Sequence, residues 1–149
     1  PIDMALLPAK FKTILKLVML MTLLQIGMGT QVREAVDFIA HEHAYIERQF
    51  WREDFPIIFY VHRSFSSLIL FTNAWLVWRL FQYVDKTHPL VRAGFLLFGL
   101  IVTAILAGVS LDRLGMPPVA QPIHLLMANL IFGVQFFMWM ALRYSTQKA

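Results

Sequence analysis

Apolar residues run almost unbroken through four stretches, residues 11–29, 57–80, 90–111 and 118–142, and polar residues crowd between them. A helix rising 1.5 Å per residue needs about 20 mostly apolar residues to cross about 30 Å of hydrocarbon, and all four stretches meet that length. Strands of a membrane barrel would alternate apolar and polar positions over short segments, which continuous runs do not do. The pattern predicts an all-α integral membrane protein: an antiparallel bundle of four transmembrane helices forming one domain over residues 1–149.

The long connection between the first two stretches has a different rhythm. Val32, Val36, Ile39, His43, Ile46 and Phe50 recur at steps of four and three, with Arg33, Glu34, Asp37, Glu42, Glu47 and Arg48 between them. That is the pattern of an amphipathic helix, expected to lie flat on the membrane surface, either without chemistry or as a lid over a site below. His41 and His43 within it read as solvated side chains, because no third metal ligand accompanies them.

Composition agrees with a bilayer: 58% of residues are hydrophobic, 15% are charged, and the mean hydropathy is +0.62. Charge sets the orientation. Lys10, Lys12, Lys16, Arg79, Lys86, Arg92, Arg143 and Lys148 share one side with only Asp3 and Asp85, whereas Arg33, Arg48, Arg52, Arg63 and Arg113 share the other with seven acidic residues. By the positive-inside rule the first side, with both termini, is cytoplasmic, and Trp51 and Tyr60 are expected near the outer boundary. The basic residues sit at helix ends and form no stripe, which excludes nucleic acid as a partner despite a net charge of +4. With no cysteine, thiolate metal sites, iron–sulfur clusters and covalent heme attachment are excluded. The sequence begins at Pro1 without an initiator methionine, and a longer parent chain is expected.

Two histidines interrupt the spans. His62 lies six residues past Pro56 and His124 six past Pro118, and both prolines suit the first turn of a helix starting on the outer face. Six residues put each imidazole roughly 9 Å below its helix start. An ionisable side chain within a membrane usually faces the bundle interior and has a partner. Two at one level, on the second and fourth helices, suit the axial ligation of one heme iron, with Arg63, Arg33 and Arg113 near its propionates and Gln121, three residues before His124, behind a ligand. The bland alternative is that each histidine hydrogen-bonds across the bundle to Ser66, Asn129 or a backbone carbonyl.

The strings "LLQIGMGTQVRE" at 23–34, "VHRSFSSLILF" at 61–71 and "LAGVSLDRLGMPPVAQPIHLL" at 106–126 resemble the C-terminal half of heme A synthase. Members of that family pair two similar four-helix halves, each with a histidine on its second and fourth helices; His62 and His124 fall on those positions. The resemblance implies a non-covalent heme b held by His62 and His124, next to an N-terminal catalytic half, on the same chain or a separate one, that oxidises the C8 methyl group of heme O to give heme A. The catalytic half carries a glutamate three residues before its second-helix histidine; here that position is Phe59, so no catalytic residue is assigned to this chain. Also implied are a plasma membrane of bacterial type and cytochrome oxidase assembly proteins as partners. A stand-alone cytochrome b exchanging electrons with quinone shares the histidine pair, and a cofactor-free membrane scaffold would lack the heme.

Overall fold

A computed structural model describes residues 10–145 as four long helices and one short 3-10 helix. Helix α1 spans Lys10–Glu42, α2 Ile57–Tyr83, α3 Pro89–Arg113 and α4 Ala120–Ser145; the 3-10 helix, Arg48–Asp54, precedes α2. Asp3 and Lys148, counted above in the charge balance, lie outside the described residues. α1, α3 and α4 are long and apolar enough to cross a membrane. α2 is long enough, but His62, Arg63, Ser64, Ser66, Ser67 and Asn73 dilute its apolar character; it qualifies as a fourth span only together with the 3-10 helix, from which it is bent by 95°.

Each long helix borders two others. α3 packs most extensively on α4, α1 on α2, and the ring is completed by α2 against α3 and α1 against α4. The main core fills one end of this ring, where Phe11, Leu15, Leu76, Leu80, Leu90, Leu97, Met138 and Leu142 are almost fully buried. α2 and α4 also meet within it: Gln135 Nε2 donates to Asn73 Oδ1 at 3.0 Å, and Asn73 Nδ2 donates to Ile69 O at 2.8 Å. Both amides are 0% exposed, which makes this bond a fixed point between the two helices.

The short connections have identifiable chemistry. After α2, Asp85 accepts from the backbone N–H and hydroxyl of Thr87, which hold its carboxyl below the usual range. Pro89 opens α3 at a position where a missing N–H costs nothing, and His88 Nδ1 accepts from Leu90 N at 3.1 Å. α3 ends at Arg113, and Gly115, two residues beyond, has a φ of +70° that suits a residue without Cβ. α4 starts at Ala120 and not at Pro118, because Ala120 N bonds back to Pro117 O in a preceding turn.

The amphipathic helix expected over 32–50 does not form as a separate element. Its first part is the outer third of α1, which runs unbroken to Glu42 because nothing between Gly29 and Glu42 interrupts the helical period. The chain then reverses through Ala44, Tyr45 and Glu47, all at positive φ, with Tyr45 N bonded to Ala40 O at 2.8 Å. Trp51 and Phe55 fold back onto Val36, Ile39 and Ala40 as a second, smaller core. Trp51 is thus buried, its Nε1 donating to Ile46 O at 2.9 Å, and packs against protein.

Candidate functional site

His62 lies five residues into α2 and His124 four into α4, roughly 7.5 and 6 Å along their helices. The two rings face each other across the bundle with centroids 6.2 Å apart and planes at 87°. A metal–imidazole bond is about 2 Å, and a ring nitrogen is about 1 Å from its centroid, so two imidazoles sharing one metal stand about 6 Å apart. The observed separation fits that spacing.

Each ring rests on a glycine of the preceding helix. A Cβ added to Gly29 of α1 would lie 3.3 Å from His62 Cε1, and one added to Gly108 of α3 would lie 3.2 Å from His124 Cε1. A Cβ at either position would push the ring aside by a few tenths of an ångström, and glycine avoids that. One turn before each glycine is a polar contact to the same histidine. Gln25 Nε2 donates to His62 O at 2.9 Å, and His124 Nδ1 is 2.7 Å from Ala104 O. A carbonyl only accepts, so Nδ1 of His124 carries the proton and its Nε2 keeps a lone pair, the form in which an imidazole ligates a metal. His62 Nδ1 and Gln25 Oε1 are buried with no hydrogen-bond partner, a cost that a ligand engaging this ring would offset.

Beyond the rings, at the end of the bundle away from the main core, charge gathers on one carboxylate. Asp112, its side chain 8% exposed, has Arg52 Nε at 2.9 Å, Arg113 Nε at 3.5 Å and Arg63 Nη1 at 3.7 Å. Two of the three arginines expected near a propionate, Arg63 and Arg113, therefore converge, joined by Arg52. Arg33 stands apart: it pairs with Asp37 at 3.9 Å, one turn beyond Gly29 on the same face of α1. Gln121 is half-buried and makes no hydrogen bond to His124, whose Nδ1 is taken by Ala104.

Of the suggested cross-bundle partners, Ser66 and Asn129 bond within their own helices, to Arg63 O and Leu125 O, whereas a backbone carbonyl, Ala104 O, does meet His124. His43 pairs with Asp54 at 2.8 Å, and among the described residues no group of three or more His, Asp or Glu is placed to hold a metal ion. Phe59 stacks on Phe55 with centroids 4.6 Å apart, so that position serves packing. Asp112, Arg52, Asn73 and Gln135 were not singled out from the sequence. One signal was available: Asn73 and Gln135 each follow a histidine by 11 residues, about three turns, and so lie on the histidine faces of α2 and α4.

The profile of the family described as Cytochrome oxidase assembly protein, COX15-CtaA, matches residues 4–136. No curated protein and no solved structure matches the chain.

Proposed function

The chain belongs to the cytochrome oxidase assembly protein family, the heme A synthases, and on that premise we propose that it is the heme b-binding half of such an enzyme. Membership places it in heme A biosynthesis, with an oxidoreductase role. The finer reading is an antiparallel bundle of four spans with both termini cytoplasmic, in a plasma membrane of bacterial type. It forms the C-terminal half of an eight-helix protein whose N-terminal half, on the same chain or a separate one, converts heme O to heme A. Cytochrome oxidase assembly proteins are its expected neighbours.

One observation carries the reading: His62 and His124, on opposite helices, stand 6.2 Å apart, the spacing of two ligands to one metal. Their residue types suit the group. The Nδ1–H of His124 is anchored on Ala104 O and frees Nε2, while His62 offers a ring with an unpartnered buried nitrogen. Gly29 and Gly108 fix both ring positions, and Arg63, Arg113 and, farther out on α1, Arg33 supply cations for the carboxylates; Gln121 lies one turn outward of His124. When bound, heme supplies one-electron chemistry. The chain's own contribution would be to hold the iron through His62 and His124, with oxidation of the heme O methyl group left to the partner half. Phe59 packs on Phe55 and Tyr60 and supplies no acid near the second-helix ligand.

The test is a reduced-minus-oxidised spectrum of the purified protein in detergent. A low-spin bis-imidazole signature is expected, lost in His62→Ala and in His124→Ala. A colourless protein, or a signature unchanged by both substitutions, rejects the reading.

A further inference from the structure

Among the described residues, Asp112 is the one acidic side chain that faces several cations at once. Three guanidiniums reach it from three segments: Arg52 from the 3-10 helix, Arg63 from α2 beside His62, and Arg113 from α3. Asp112 itself lies one turn beyond Gly108, on the α3 face that touches His124. The cluster is thus attached to His62 through α2, the helix that Arg63 and His62 share, and to His124 through α3, the helix on which that ring rests.

Its charge does not balance. Three guanidiniums and one carboxylate leave a net charge of +2; Asp112 is 8% exposed and Arg52 34%, while Arg63 and Arg113 are half-exposed, so water screens the Arg52 contact less than the other two. Guanidiniums repel one another and would spread into solvent without a counter-charge between them. Asp112 keeps them gathered, and the excess of two positive charges equals the charge of a ligand with two carboxylates. Planar guanidiniums are suited to bind such groups in a forked fashion.

Resting on the heme reading above, we propose that Asp112 is a positioning residue which assembles Arg52, Arg63 and Arg113 into an anion site selective for a porphyrin with two free carboxylates. Asp112 does not touch the ligand in this scheme; it acts through the arginines. Arg52 has a second consequence, because it ties the 3-10 helix to the site and so couples the outer roof to the charge of the ligand.

The experiment compares two probes, iron protoporphyrin IX and its dimethyl ester, titrated into the full chain purified from heme-limited cells in detergent, with the low-spin spectrum as readout. The unmodified chain is expected to bind the diacid on the order of tenfold more tightly than the diester. Asp112→Asn should shrink that ratio several-fold, and Asp112→Glu should restore most of it. A merely structural role would weaken both probes equally and leave the ratio intact, which overturns the proposal, as does a ratio that rises. If neither probe gives a low-spin spectrum with the unmodified chain, the heme reading fails first. Arg52→Gln, in the short 3-10 helix, provides a second arm should Asp112→Asn fold poorly: it should lower the ratio too.

Discussion

The α1–α2 pair and the α3–α4 pair build the same device with different parts. In each, a helix presents three positions one turn apart to the histidine of the next: Gln25, Gly29 and Arg33 on α1, and Ala104, Gly108 and Asp112 on α3. The glycine is common to both and admits the ring. The inner position differs in which atom of the histidine it holds: Ala104 O takes the Nδ1 proton of His124, whereas Gln25 grips only the backbone carbonyl of His62. One ring is therefore fixed in tautomer and orientation, and the other is held by shape alone. The outer position differs in sign, arginine against aspartate, which explains why the arginine cluster forms over the α3 side. Duplicated geometry with divergent polar groups yields two ligands of unequal stiffness.

The sharpest way to break this comparison is to fill the glycines. Gly108→Leu should drive His124 off its carbonyl as well as out of position, and heme content relative to protein should fall to background. Gly29→Leu should leave a measurable remnant, because the His62 ring has no hydrogen bond to lose and can swing. A Gly29 variant that loses more heme than the Gly108 variant would reverse the assigned order of stiffness.

The bond between the two halves comes next. Asn73→Leu or Gln135→Leu strands a buried amide on the opposite helix and should cost about 1–3 kcal/mol in thermal unfolding of the detergent-solubilised protein, while the double substitution should cost less than the two singles combined. Strict additivity would mean that the two amides are not coupled. The smallest effect is expected at Gln25→Leu, about 1 kcal/mol of stability, with the spectrum of the bound heme unchanged. A spectral change there would show that α1 does orient the His62 ring electronically, and the contrast with Ala104 would narrow.

Much of this was legible in the residues. Long apolar runs and two histidines at equal depth are local features, and three of the four spans and the pairing of the rings follow from them. α2 is the informative partial exception, since the polar residues that make it the site helix also lower its apolar character. What was not legible depends on the chain folding back. Asp112 and Arg52 are 60 residues apart in sequence, and nothing near either forecasts their ion pair. The break after Glu42 uses Ala44, Tyr45 and Glu47 at positive φ, where no glycine or proline announces a turn, so the heptad-like spacing from Val32 to Phe50 looked continuous when it is not. Ala104 matters through a main-chain oxygen, which side-chain identity does not encode.

The unbroken course of α1 has a mechanical consequence. With 33 residues it is about 50 Å long, some 20 Å more than the hydrocarbon it crosses. The same stiff rod carries Gly29 against the His62 ring and, two to three turns farther on, Val36, Ile39 and Ala40 beneath Trp51. Tilting the rod to lift the cap would also pull the backrest away from the ring. Access from above and a firm grip on the ligand thus oppose each other through a single lever.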